Sequence, residues 1–273
     1  MNKAETNTDK EKRVKLVLLA AFIALVIFVN KIFQSQTQVL LWRVYLNAGI
    51  YFLIAFVGLL WAFNFQIKKK SLLFLLQSSL FIFSESIFVE LFFFQKFNRI
   101  YEFFILLILM LLVFVGNYIS FLMANVLNVD LFKKIPLVHV GRTSSYLVSL
   151  FMMYFFTFSI LVTGFQIYIL IPLIIIIYGI IIYIHYLNIG MEEGEIWRKF
   201  LLTLFLCVTL FLGVFLSGDL HELISLVPVA GYYLAVGVVS KEKIASEKKG
   251  TAYFFGILIF LISIVSLLVN IFS

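Results

Sequence analysis

Apolar segments of about 20 residues, separated by short polar turns, follow one another along the whole chain. A helix rises ~1.5 Å per residue, so a segment of this length crosses the ~30 Å hydrocarbon core of a bilayer. The sequence therefore predicts an all-α, polytopic transmembrane helix bundle. Nine segments qualify, at residues 14–30, 44–65, 71–94, 100–124, 145–163, 167–186, 200–216, 223–240 and 251–272.

The composition excludes a water-soluble domain. Of the 273 residues, 63% are hydrophobic and 13% are charged, whereas a soluble domain is typically about 25% charged. Phe, Ile and Lys are abundant, which favours an AT-rich bacterial genome and hence a bacterial plasma membrane. A single cysteine, Cys207, excludes an intrachain disulfide.

The positive charges predict how the chain is oriented. Lys and Arg cluster before the first segment, at 68–70, at 133–142, at 198–199 and at 241–249. All of these clusters face the cytoplasm if the N-terminus is cytoplasmic, nine spans are present and the C-terminus lies outside. The first segment is short, so eight spans are the alternative. Residues 1–13 are predicted to form a basic cytoplasmic tail, and 14–273 a single transmembrane domain. The net charge of +7 thus reflects topology, and no nucleic-acid partner is predicted.

Two carboxyl groups interrupt the third segment, in the stretch SSLFIFSESIFVELFFF at 78–94. Glu85 and Glu90 differ by about 140° around a helix, so they do not form a pair directed into one site. Glu90 reaches the outer boundary of the membrane, where Lys96, Arg99 or Glu102 would be its neighbours. An interfacial carboxylate beside a loop cation is the simplest interpretation of Glu90.

Glu85 lies about 22 Å from the 68–70 turn at a rise of ~1.5 Å per residue, well inside the membrane. A charge there is unfavourable by roughly 2.5–3.5 kcal/mol on insertion scales, so the carboxyl must be protonated, hydrogen-bonded or hydrated. Asn117 and Gln77 are candidate partners. We predict a substrate- or ion-binding site comprising Glu85, Asn117, Glu90 and Glu102; the alternative is a structural hydrogen bond between helices.

The turn SGDLHEL at 217–223 offers a second candidate site on the predicted outer side. Asp219, His221 and Glu222 are residue types that act in acid–base catalysis. The alternative interpretation is a helix cap, because Asp219 and Glu222 have the spacing of a capping pattern before an apolar segment.

The stretch KKIPLVHVGRTSSY at 133–146 is predicted to be the main cytoplasmic loop. If the fifth span begins near 145, its exposed N–H groups and the nearby cations would suit an anionic lipid phosphate. The alternative is a Ser/Thr cap beside ordinary positive-inside residues. The predicted lipid-binding residues are Lys133, Lys134, Arg142, Thr143 and Ser144.

Three functional hypotheses fit these features. The sequence contains no Gly-rich phosphate loop, HExxH motif or Cys/His cluster, and we predict no metal and no cofactor. The favoured hypothesis is a non-enzymatic membrane protein for anchoring, assembly or interaction. One alternative is a transporter or lipid-handling protein with Glu85 embedded in the membrane. The other is a membrane enzyme that acts at the outer face through Asp219 and His221. The lipid bilayer is the predicted partner; protein partners and oligomeric state stay open.

Overall fold

The computed structural model describes residues 3–33, 40–65, 67, 71–92, 100–128, 135–189, 193–217 and 224–241. All regular secondary structure in these ranges is α-helical, which confirms the all-α part of the predicted fold class. The eight helices are α1 (Lys3–Phe33), α2 (Leu41–Ala62), α3 (Ser71–Phe92), α4 (Ile100–Asn128), α5 (Ile135–Thr163), α6 (Ile167–Ile189), α7 (Glu193–Ser217) and α8 (Leu226–Lys241).

Seven of these helices, α1 to α7, are long and apolar enough to cross a membrane, and α8 contains a shorter apolar segment at Leu226–Val236. Their outward-facing side chains are large and apolar: Phe104, Leu112 and Phe205 are 61%, 64% and 74% exposed. Soluble proteins rarely carry so much contiguous apolar surface. The helices therefore indicate a membrane protein. The predicted ninth segment, 251–272, lies outside the described residues, so the span count and orientation stay predictions.

The chain divides into two compact units, at 1–148 and 149–273, and the division falls within α5. In the first unit α1 packs on α2 and α4, and α3 packs on α2 and α4. Lys15 of α1 pairs with Glu11 at 2.8 Å and donates a hydrogen bond of 3.0 Å to Asn64, which follows α2. Its ammonium also lies 5.2 Å from the ring centroid of Trp61. Lys15, in the N-terminal half of α1, thus lies beside the end of α2, and Asn30 near the end of α1 lies far from it along the helix, so the two helices run antiparallel.

Helix α3 is the most enclosed helix of the first unit. Within its span 67% of the residues are buried, compared with 28% for both α2 and α4. Several buried residues are serines whose hydroxyls donate to carbonyls of the preceding turn, as Ser79 does to Leu75 at 2.9 Å and Ser84 to Phe81 at 2.8 Å. These local bonds satisfy the hydroxyls without a second helix. The interior of the unit is consequently polar along α3.

In the second unit, α7 packs on both α6 and α8. Buried hydroxyl pairs join its helices: Thr157 and Tyr178 are 2.6 Å apart, as are Tyr186 and Thr203. At Gly231 of α8 a Cβ atom would collide with the side chain of Leu210. Gly231 thus lies directly against Leu210 of α7, and a larger residue there would require the leucine side chain to move.

Candidate functional site

The carboxyl group of Glu85 lies in the interface between α3 and α4. Glu85 is only 6% exposed, and its Oε2 atom has no hydrogen-bond partner. Its Oε1 atom lies 3.0 Å from the point that a Cβ atom would occupy on Gly116 of α4, and the ring of Phe81 lies 3.4 Å from the same point. The carboxyl thus rests against the α4 backbone beside an aromatic ring, without an ion-pair partner among the described residues.

Two further polar residues of α4 follow Gly116 within about one helical turn. Asn117 and Ser120 are fully buried. Ser78 of α3 donates to the Ser120 carbonyl at 2.9 Å, which fixes this turn of α4 against α3. Ser78 and Glu85 both face α4, as the helical spacing of seven residues predicts.

Five buried atoms on these two helices lack hydrogen-bond partners: Glu85 Oε2, Asn117 Nδ2 and Oδ1, Ser120 Oγ and Asn125 Oδ1. Leaving a buried donor or acceptor unpaired is unfavourable by about 1–3 kcal/mol, so native proteins keep few such groups. The unpaired atoms of the first unit are concentrated on these two neighbouring helices. The cluster is therefore the strongest candidate site in the part of the chain that the structure describes.

The partners that the sequence predicted for Glu85 need correction. Asn117 is buried nearby but forms no hydrogen bond with it. Gln77 pairs with Ser145 of α5: its Nε2 donates to the Ser145 carbonyl at 3.1 Å, and the Ser145 hydroxyl donates to its Oε1 at 3.1 Å. Neither candidate partner therefore bonds Glu85, because residue spacing along separate helices does not fix which side chains meet, and a protonated or hydrated carboxyl stays the prediction.

Glu90 is held by a buried ion pair with Lys31. Lys31 Nζ lies 3.5 Å from Glu90 Oε2 and donates to the Glu90 carbonyl oxygen at 3.4 Å, while Asn30 donates to Oε1 at 3.3 Å. The side chains of Lys31 and Glu90 are 6% and 2% exposed. A cation on Glu90 was predicted, but the structure supplies it from the last turn of α1. Lys96 and Arg99, the predicted loop cations, lie outside the described residues.

Sequence reasoning missed Lys31 because the first apolar segment ends at 30, so the lysine looked like a loop residue. Helix α1 continues to Phe33 and carries Lys31 inward. A small, partly open crevice lies beside it. Apart from Lys31, its walls are apolar: Ala24, Ile27, Phe28, Val89, Leu106, Leu109, Met110 and Val113.

The two glutamates face different helices, α4 for Glu85 and α1 for Glu90. This confirms that they do not form a carboxylate pair of the kind used by aspartic proteases or glycosidases. The third predicted carboxyl of this site, Glu102, belongs to α4, but its side chain lies outside the described part of the structure. Its role stays a prediction.

The structure also moves the predicted lipid-binding residues. Helix α5 begins at Ile135, with Pro136 in the first turn, where a missing N–H is tolerated. Arg142, Thr143 and Ser144 therefore lie inside the helix, where their N–H groups serve the backbone ladder, and the expected free helix terminus near 145 is wrong. Lys133 and Lys134 lie outside the described residues. Recognition of an anionic lipid by these cations stays a prediction without that geometric support.

The predicted outer-face residues Asp219, His221 and Glu222 also lie outside the described residues. Among the described residues there is no group of three or more His, Cys, Asp or Glu side chains able to hold a metal ion.

Chemically, the Glu85 cluster can hold one positive charge. It offers one carboxyl group together with the neutral oxygens of Asn117 and Ser120. Oxygen donors of this kind bind protons and hard cations. No protein-family model, no curated protein and no solved structure matches this chain.

Proposed function

We propose that this chain is a non-enzymatic, multi-pass protein of a bacterial plasma membrane that transports a solute, coupled to a proton or small cation held at Glu85. The supporting observation is a buried carboxyl in a helix that is long and apolar enough to cross a membrane; the carboxyl rests on Gly116 and one of its oxygens is unpaired. Ionisable groups inside a membrane are rare, and they mark ion pathways and proton relays.

The coupling follows from electrostatics. A protonated Glu85 is neutral and is tolerated between α3 and α4. A deprotonated Glu85 leaves a bare charge in an apolar interface, which requires a cation or water to replace the proton. The occupant of Glu85 therefore changes the relative free energies of a closed and a more open α3–α4 arrangement. An occupant that favours one of two arrangements shifts the population toward it, which is the basis of alternating access.

Burial favours transport over the assembly hypothesis. A glutamate that recruits a partner helix would face outward, whereas Glu85 faces α4 and is nearly inaccessible. The enzyme hypothesis rests on Asp219 and His221, which the described structure does not include.

The decisive experiment compares Glu85→Gln with the wild type in proteoliposomes that contain a pH-sensitive dye. Glutamine keeps the size and polarity of the side chain but cannot exchange a proton. We expect an imposed ion gradient to drive proton movement in the wild type, and Glu85→Gln to reduce it at least tenfold. The matched control is Glu11→Gln, the same chemical change at an exposed residue of α1, which should keep the wild-type rate.

Two results would overturn the proposal: a wild-type protein that moves no protons, or a correctly folded Glu85→Gln protein that moves them at the normal rate. Folding of each variant is checked by its thermal unfolding midpoint in detergent. Because Gln preserves the contact with Gly116, we expect this midpoint to stay close to that of the wild type.

A further inference from the structure

We infer that the site also binds a small monovalent metal cation, sodium or lithium, which competes with the proton for Glu85. Neutral oxygens of Ser120 and Asn117 would complete the shell. This inference rests on the proposed function, because it takes Glu85 as the coupling group, and it specifies the class of coupling ion.

Glu85 and Ser78 of α3 contact the same side of α4. Glu85 Oε1 meets α4 at Gly116, and Ser78 Oγ meets α4 at the Ser120 carbonyl, 2.9 Å away. Gly116 and Ser120 are four residues apart, so they lie on the same side of α4, one turn from each other. Asn117 follows Gly116 directly. The Glu85 contact at Gly116, Asn117 and Ser120 thus lie within about one helical turn, or ~5.4 Å, along the axis of α4, and Asn117 is rotated by about 100° from Gly116 around that axis.

The site contains more unpaired oxygen atoms than a single proton can satisfy. A proton on Glu85 supplies one hydrogen-bond donor. It can satisfy one acceptor, whereas Asn117 Oδ1 and Ser120 Oγ both lack partners, and both residues are 0% exposed. A cation coordinated by several oxygens satisfies these two acceptors together, whereas the Asn117 Nδ2 donor would need another acceptor. Bound metal ions commonly provide this compensation for buried polar groups.

The chemistry and charge of the ligand oxygens indicate which kind of ion would bind. The donors are carboxyl, carboxamide and hydroxyl oxygens, which are hard ligands; no described cluster of His, Cys and acidic residues is present for a transition metal. The one acidic side chain here is Glu85, because Glu90 is already neutralised by Lys31. A single negative charge balances a monovalent ion and leaves a divalent ion uncompensated. The chemistry therefore favours sodium or lithium over calcium or magnesium.

The test uses dicyclohexylcarbodiimide, which modifies protonated carboxyl groups in apolar surroundings. Purified full-length protein is labelled in sodium chloride, lithium chloride or choline chloride at equal ionic strength, and modification of the Glu85 peptide is followed by mass spectrometry. We expect sodium and lithium to slow labelling at least fivefold relative to choline. Protection should grow as pH rises, because fewer protons then compete with the cation.

Two serine variants make the test specific. Ser120→Ala removes a proposed ligand, and we expect it to raise the sodium concentration needed for half-protection about tenfold, which corresponds to ~1.4 kcal/mol. Ser79→Ala is the matched control, since this buried hydroxyl only bonds the Leu75 carbonyl within α3. It should leave protection unchanged.

The outcomes separate this inference from the proposed function. Glu85 labelling that sodium and lithium never slow, together with normal proton movement, would overturn the metal-cation inference and leave the proton-coupled function intact. Equal protection in Ser120→Ala and Ser79→Ala would overturn the assignment of Ser120 as a ligand. If Glu85 is never labelled and Glu85→Gln moves protons normally, the proposed function fails as well.

Discussion

At the scale of single residues, Lys31 and Glu90 form an ion pair in apolar surroundings with long contacts of 3.4–3.5 Å. Taking two charges out of water is unfavourable by several kcal/mol each, and mutual attraction compensates this only in part. Such a pair adds little net stability, yet removing either member destabilises the protein because the other is left buried without its counter-charge. Its effect is seen most clearly when one partner is removed.

We predict that Lys31→Met destabilises the protein by about 3–5 kcal/mol, because the buried Glu90 carboxyl is left without its cation. The measurement is thermal or denaturant unfolding of the detergent-solubilised protein. The double variant Lys31→Met/Glu90→Gln should recover most of the loss, since no buried charge remains. Breaking the exposed Glu11–Lys15 pair with Glu11→Gln should leave unfolding unchanged. A single variant as stable as the wild type would contradict the buried pair.

At the scale of elements, the contact of α3 with α4 depends on a glycine that admits a carboxyl oxygen. A Cβ atom at Gly116 would lie 3.0 Å from Glu85 Oε1, closer than atoms normally pack, with the Phe81 ring 3.4 Å away. At Gly49 of α2, by contrast, a Cβ atom would have no neighbour within 4 Å. Alanine substitutions at these two positions therefore separate the effect of crowding against Glu85 from the effect of helix propensity on stability.

We predict that Gly116→Ala changes the carbodiimide labelling rate of Glu85 at least threefold, because the carboxyl must shift away from α4. Gly49→Ala should leave that rate unchanged and raise stability by up to ~1 kcal/mol, the usual helix preference for alanine. Labelling and unfolding are measured on both proteins. Equal labelling rates in the two variants would contradict the close approach at Gly116.

At the scale of the whole molecule, the positive-inside pattern predicts that the turn at 68–70 is cytoplasmic and the turn at 217–223 is external. The chain is well suited to a test, because its single cysteine, Cys207, is fully buried in α7. A cysteine introduced in either turn would then be the accessible thiol for a membrane-impermeant maleimide.

We expect His221→Cys to be labelled in intact cells and Lys69→Cys only after the membrane is opened. The wild type should stay unlabelled under both conditions, which controls for Cys207. Labelling of both variants from one side would contradict an odd number of crossings between the turns at 69 and 221 and, with it, the orientation.

The sequence alone predicted the helices well, because lipid exposure leaves a long uniform signal. For each helix from α2 to α7, at least one end lies within three residues of the corresponding end of a predicted apolar segment. Helix ends in polar stretches were predicted less well: α5 begins at Ile135, ten residues before the predicted span, since a polar segment can continue a helix outside the hydrocarbon region.

Sequence by itself determined the membrane character of the chain, because helices surrounded by lipid need long apolar segments. It also singled out Glu85, because an acidic residue within such a segment is unfavourable and therefore rare. Tertiary structure alone decided the neighbours: Gly116 beneath the Glu85 carboxyl, Lys31 rather than a loop cation on Glu90, and Ser145 on Gln77. The physical reason is that helical periodicity fixes the faces within one helix. Which faces meet depends on how separate helices pack, and residues like Lys31 and Glu90, 59 positions apart, meet only then.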